Sequence, residues 1–357
     1  MDRRQFLAAA AAAPAAARAT IGLVGEMDST PSATGKKLYV WDHSDPKSTA
    51  AASKKKYRGL KAKGLAGVFL GGGPVDQEYE AVREAGLELH VWMWTTNRGD
   101  DWVRKNHPEW YQVSRSGKSC FDKPPYVDYY RWISPHIPGA VQYICDRAEE
   151  IARHAAVQGV HLDYVRYPDV ILPDALWKDY KLDQTDELAD YDFDYGDAAV
   201  AAFKKATGRD PRAIKDPATD QEWLHFRYDA ITALVKKVHA TVKPHKKVLT
   251  AAVFPTPSLA RKICRQDWDK WPLDFATPMV YHSFYNKDEH WIGDAVRENV
   301  HAARFPIVAG LYMPAFASPE AFETGIKAAL HRGAVGVSLF GGIGDAYWEV
   351  ATKLLRS

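Results

Sequence analysis

The stretch Gly159-Val-His-Leu-Asp-Tyr-Val-Arg-Tyr-Pro168 decides the fold. Its first six residues read as a short strand opened by glycine. Alternation sends His161 and Asp163 to one face of that strand and Leu162 and Tyr164 to the other. A helix predicted from Pro138 to about Val157 leads into it, and a long acidic and Tyr-containing excursion, residues 165 to about 220, leaves it. A strand between helices is one unit of a β/α repeat.

The same unit recurs on both sides. Upstream, Lys37–Asp42, Ala66–Leu70 and Leu87–Trp94 read as strands, with helices predicted over 47–63 and Pro74–Ala85. Downstream, strands are predicted at Lys247–Phe254, Phe275–His282, Ile307–Met313 and Val335–Gly341. Helices are expected near 197–206, 220–242, 291–304, 318–332 and 345–355. Eight such strands predict an α/β fold, a (β/α)8 TIM barrel, over residues 36–357, with long loops after strands 3 and 4 (95–137 and 165–220). A doubly wound open sheet would need a glycine-rich phosphate turn after strand 1, and Asp42-His43-Ser44-Asp45-Pro46 is not one. Loops longer than about 12–15 residues are usually functional when ordered, and in a barrel they sit with the site at the C-terminal strand ends.

The N-terminus carries Asp2-Arg-Arg-Gln-Phe-Leu7, an alanine run, and Ala17-Arg-Ala19. This pattern predicts a twin-arginine-like signal peptide over 1–19 and a linker over 20–35, hence an exported, periplasmic or extracellular protein. The alanine run is too short and too weakly apolar to span a bilayer, so no membrane partner is expected of the mature form. At 46% apolar residues the chain can bury a sizeable core, and a net charge of +2 argues against nucleic acid as the main partner. Three cysteines, Cys120, Cys145 and Cys264, cannot all pair, and no essential disulfide or zinc-ligand spacing is expected. Twelve Trp and 18 Tyr exceed what a core needs, because each carries a polar atom that wants a partner; flat amphipathic rings at a cleft suit sugar faces.

Candidate site residues stand at predicted strand ends. With His161 and Asp163 facing the barrel interior, Asp163 lies near the mouth, where a carboxylate is costly to desolvate unless hydrogen-bonded or functional. Capping a loop or pairing with Arg166 is its structural alternative. On strand 3, His90, Trp92 and Trp94 share a face; His90 reads as barrel filling and the tryptophans as a stacking floor. Asp42 and His43 end strand 1, and Asp42 is the candidate second acid/base group. Strand 6 ends in Tyr281 and His282, either of which could hold a sugar or assist proton transfer, with Tyr285 just beyond. His43 and His282 also raise a metal-hydrolase reading, although no His-x-His occurs on strand 1.

The chain resembles the glycosyl hydrolase-like 10 family of bacterial exported barrels. The resemblance rests on the His90-Val-Trp92 strand, His107-Pro-Glu-Trp110, Ser134-Pro135 with Pro138, and Gly159–Pro168. Trp223, Pro278-Met-Val-Tyr281 and Gly336-Val-Ser-Leu-Phe340 follow in the same order. It implies a glycosidase acting on a polysaccharide or oligosaccharide without a cofactor, with an amino-sugar or cell-wall glycan as the candidate substrate. Asp163 would be the acid/base group, Asp42 its partner, and Tyr281 and His282 polarising or positioning groups. Trp92, Trp94, His161, Tyr164, Arg166 and Tyr285 would shape the subsites. The chain departs from the pattern where the family has Asp-Asp and this sequence has Asp163-Tyr164. Chitinase-like barrels, which it also resembles, place an acid where Val165 and Arg166 stand. General acid catalysis needs a proton donor near the leaving oxygen, so the missing carboxylate supports a rival reading as a non-catalytic glycan-binding barrel.

Overall fold

A computed structural model describes residues 35–73 and 75–355. The expected signal peptide and nearly all of the expected linker lie outside the described residues. Eight strands form one sheet: β1 (Lys37–His43), β2 (Gly67–Gly71), β3 (Glu88–Trp94), β4 (Gly159–Asp163), β5 (Val248–Val253), β6 (Phe275–Pro278), β7 (Val308–Tyr312) and β8 (Gly336–Phe340). Their order is β6-β5-β4-β3-β2-β1-β8-β7, and every pairing is parallel. The seam between β6 and β7 carries two isolated parallel bridges, Ala276 with Ile307 and Met279 with Gly310. The sheet thus curls into a nearly closed (β/α)8 TIM barrel, as expected.

Alternation along the strands builds two cores. Outward residues such as Val68, Leu89, Val160, Leu162 and Ala251 are buried under the helices. Inward positions fill the barrel with rings. Tyr39 stacks on Phe69 at 5.1 Å, and Phe69 on His161 at 3.9 Å. Glycines make room for them: a Cβ on Gly71 would sit 2.8 Å from the Trp92 ring, and one on Gly159 would lie 2.5 Å from Nδ1 of His90. Both positions face neighbours too large to accept a methyl group.

Helix starts follow side-chain caps. Thr49, Asp220, Thr256 and Ser318 each accept a backbone N–H at the start of the helices Ala50–Ala62, Gln221–Val242, Pro257–Cys264 and Pro319–His331. The helix Pro257–Cys264 lies in a segment for which no helix is predicted from sequence. Strand β6 also differs: it stops at Pro278, short of the His282 end expected for it, and a 3-10 turn follows over His282–Tyr285. The three cysteines are buried, and no disulfide occurs among the described residues. No described helix is long and apolar enough to cross a membrane.

The two long loops are tied to each other by buried charge. Asp192 pairs with Arg227 at 2.6 Å and accepts the Tyr195 hydroxyl at 2.8 Å, while Arg115 from the first loop approaches it at 3.2 Å. Asp194 accepts the Tyr167 hydroxyl at 2.7 Å and pairs with His136 at 2.9 Å. Burial alone would push the Asp194 carboxyl up; His136 and Tyr167 hold it below its ordinary value. These bonds fix both loops above the C-terminal strand ends.

Candidate active site

At those strand ends opens a cleft of about 1450 Å3. Its floor is Asp163, the last residue of β4, which is 8% exposed. Each carboxyl oxygen accepts one hydrogen bond: Oδ1 from the Tyr164 backbone N–H at 2.6 Å and Oδ2 from the Trp92 indole N–H at 2.9 Å. Burial pushes the Asp163 carboxyl up from 3.8 to about 6, against those two bonds and the nearby Arg166 guanidinium, which favour the charged form. Such a carboxyl exchanges its proton near neutral pH, as a group that gives and takes protons must.

Its geometry depends on a strained neighbour. Tyr164 has φ of +49°, a left-handed backbone that costs a tyrosine roughly 1–2 kcal/mol. Thr96 holds it there. The Thr96 N–H donates to the Tyr164 carbonyl at 3.1 Å. Its hydroxyl accepts the Arg166 N–H at 3.2 Å and reaches the carbonyls of Tyr164 and Arg166. The turn ends strand alternation, so Tyr164, which a continued strand would point at the helices, instead lines the cleft. Its ring lies 4.8 Å from Trp94 and 5.6 Å from Trp132.

The walls are aromatic. Trp92, Trp94, Tyr164, Tyr281 and Tyr285, all expected site residues, line the cleft with Arg166. Trp94 stands at the rim, 37% exposed. Tyr281 is buried between Tyr312 (5.4 Å) and Phe284 (5.7 Å), and burial, with Asp163 adding to it, pushes its phenol well above its ordinary value. Tyr281 therefore stays a neutral donor. The Arg166 guanidinium lies 4.8 Å from both the Trp132 and Phe254 rings and donates to Asp169 at 3.0 Å. It pairs with Asp169, not with Asp163.

Three expected residues lie elsewhere. Asp42 points outward, where it pairs with Lys56 at 2.6 Å and meets the Tyr57 hydroxyl at 3.4 Å. Alternation explains this, because Tyr39, Trp41 and His43 take the inward positions of β1. His282 is carried off the cleft by the 3-10 turn and packs 4.9 Å from Phe316, with Glu289 3.8 Å from its Nε2. His161 lies below the floor. Its Nε2 accepts the Trp41 indole N–H at 3.0 Å, so Nδ1 carries the proton and donates to the Thr250 hydroxyl at 2.8 Å. Burial pushes this imidazole well below its ordinary value, and its neutral form fits both bonds. His161 supports Trp41, which does line the cleft. His90 is buried in the barrel interior, as expected of filling.

Sequence reasoning passed over Asp128, Tyr129, Tyr312 and Phe340, all of which line the cleft. Asp128 shares the cleft with Asp76, Asp100 and Glu150. Asp100 pairs with Arg98 and Glu150 with Arg147, whereas no hydrogen bond or ion pair holds the Asp128 side chain among the described residues. The aromatic run Tyr126-Val-Asp-Tyr-Tyr130 was the available signal. No group of three or more His, Cys, Asp or Glu side chains is placed to hold a metal ion among the described residues.

Comparison with known proteins adds two findings. The sequence model of a family described as Glycosyl hydrolase-like 10 matches residues 71–312. Among solved structures, the fold is similar to the PgaB glycoside hydrolase domain from Bordetella bronchiseptica, with TM-score 0.66, 13% identity, and coverage of 90% of this chain and 98% of that one. It is also similar to the catalytic domain of β-amylase from Paenibacillus polymyxa (TM-score 0.63, 13% identity, 90% and 99% covered). A third similarity is to the spore cortex-lytic enzyme SleL from Bacillus megaterium (TM-score 0.51, 9% identity, 90% and 75% covered). At these identities the likeness concerns the fold. No curated protein matches the sequence.

Proposed function

The chain belongs to the glycosyl hydrolase-like 10 family, and from that premise we propose that it hydrolyses glycosidic bonds of an extracytoplasmic polysaccharide, with Asp163 as acid/base group. One observation carries the reading: a buried carboxyl poised near pH 6 forms the floor of an aromatic-lined cleft at the C-terminal end of a barrel strand. Protonated Asp163 donates to the leaving oxygen and, once ionised, takes a proton from the incoming water. Tyr281, a neutral phenol beside it, steadies the oxygen that gains charge. Trp92 and Trp94 offer ring faces to the sugar, and Tyr164, Arg166 and Tyr285 shape the wall.

Glycoside cleavage ordinarily uses two carboxyl groups. Asp42 is engaged with Lys56 outside the cleft, so we assign the second role to Asp128, whose carboxylate lines the cleft unpaired among the described residues. The extracytoplasmic setting rests on the leader-like residues 1–19, and the amino-sugar or cell-wall substrate on the family resemblance. A non-catalytic glycan-binding barrel is the second reading, favoured by Tyr164 standing where the family has another aspartate. Product analysis on a glycan panel separates them: cleavage lost in both Asp163→Asn and Asp128→Asn supports the enzyme, and binding without cleavage by wild type supports the lectin-like reading.

A further inference from the structure

The cleft does not end at the barrel mouth. From Asp163 it runs past Trp92, Asn97 and Arg98 to Arg147 and Glu150 on the helix Pro138–Arg153. Beside this arm, two residues past its lining residue Asp100, stands Trp102, on the short helix Asp101–Asn106. Its side chain is 52% exposed, more than any other large hydrophobic residue among those described. Of the exposed aromatics, Trp94 and Tyr129 flank the mouth, and only Trp102 stands away from it.

Trp102 is held in a fixed plane. It stacks on Tyr143 with centroids 5.3 Å apart and planes within 10°. Behind it, His107 and Trp110 stack at 3.8 Å and 7°, and His107 lies 5.1 Å from the Trp102 ring. Arg98 joins this platform to the barrel: its guanidinium donates to the Trp94 carbonyl at 2.6 Å, pairs with Asp100, and lies 5.3 Å over Tyr143. The Arg147 guanidinium lies 5.9 Å from the same ring. A ring held in one plane binds at small entropic cost, because little freedom is left for it to lose.

We propose that Trp102, backed by Tyr143, is a distal sugar-stacking platform that holds the polysaccharide several units away from Asp163. The occupant is the same chain that enters the cleft, because Arg98 and Arg147, which line its arm, both lie against the Tyr143 ring on which Trp102 stacks. Both faces of the chemistry fit a pyranose: its apolar C–H face lies on the indole, and its hydroxyls meet Arg98, Arg147 and Glu150. The inference rests on the glycosidase reading of the cleft and extends it to long substrates.

The test compares chain lengths. Affinity is measured for soluble, partly N-acetylated chitosan and for N,N'-diacetylchitobiose, in an Asp163→Asn background that keeps both intact. Trp102→Ala should weaken polymer binding by roughly 3- to 10-fold, the range for losing one aromatic contact, and leave disaccharide binding unchanged. Trp102→Phe should recover most of the loss. The loss should persist in about 0.5 M NaCl, because stacking is not screened as ion pairing is. Unchanged polymer affinity in Trp102→Ala, or an equal loss for both lengths, overturns the platform while leaving the cleft's reading intact. If wild type neither binds nor cleaves any glycan of a wider panel, the glycosidase reading falls and the platform with it. Unfolding midpoints of both variants within about 2 °C of the parent exclude a folding effect.

Discussion

Replacing Trp92 with phenylalanine should move the pH at which Asp163 titrates. The substitution keeps a ring against Gly71 and Phe340 but removes the indole N–H that donates to Asp163 Oδ2 at 2.9 Å. A hydrogen bond to a charged group is worth about 1.5–3 kcal/mol, and one pKa unit is about 1.4 kcal/mol, so its full loss would raise the carboxyl by about 1–2 units. Water entering from the cleft replaces part of the bond, leaving an expected rise of about 1 unit, from about 6 toward about 7. The sign follows from which form is held: the bond stabilises the carboxylate, so its removal favours the acid. The assay is the pH profile of kcat/KM on a cleaved glycan. With Asp163 as proton donor, activity falls above its pKa, and this alkaline limb should shift upward by about 1 unit in Trp92→Phe. The plateau height is also sensitive to lost stacking, so the position of the limb is the readout. A limb that stays within about 0.3 unit of wild type, or moves down, refutes the assignment of that limb to Asp163.

Three further outcomes follow from the same structure. Asp163 is held above its unfolded value, so its ionisation opposes folding: stability is fullest below about pH 4 and declines as pH rises toward about 6. A carboxyl raised from 3.8 to about 6 opposes folding by about 3 kcal/mol once ionised. An asparagine loses one of the two hydrogen bonds, so Asp163→Asn should stabilise the protein by about 1–2 kcal/mol at pH 7 and by nothing at about pH 3.5. Thermal melts at the two pH values check this; a variant less stable at pH 7 contradicts it. Thr96→Val strips the hydroxyl that accepts the Arg166 N–H and should cost about 2–4 kcal/mol in denaturant unfolding, where a loss under about 1 kcal/mol would show that Tyr164 is held by other contacts. Arg227→Met leaves Asp192 with only the more distant Arg115 as a cationic partner, and should cost about 3–5 kcal/mol in the same measurement.

The barrel was legible because its signal is periodic and repeated. Leu162 and Val160 face the helices, and His161 and Asp163 face inward, as alternation requires. Alternation misleads only where the backbone leaves the strand. Tyr164 turns into the cleft because its φ is positive, a feature no propensity of tyrosine announces. His282 leaves the cleft because Pro278 ends β6 and a 3-10 turn follows. Asp42 falls outside for a different reason: the inward positions of β1 belong to Tyr39, Trp41 and His43. Asp128, the carboxylate assigned as partner to Asp163, sits in a loop without periodicity, so only three-dimensional closure of that loop reveals it. Trp102 was invisible for the same reason. Its partners Tyr143 and Arg98 lie on separate segments brought together by the fold.

The central claim is that Asp163 performs glycoside cleavage in this cleft. The most direct measurement is product analysis of wild type and Asp163→Asn, side by side, on a panel of amino-sugar and neutral polysaccharides. Wild type should release shorter glycans from at least one of them, and Asp163→Asn should bind that substrate while releasing about 100-fold less or none, the scale of losing an acid/base group. Cleavage by Asp163→Asn at the wild-type rate would contradict the claim.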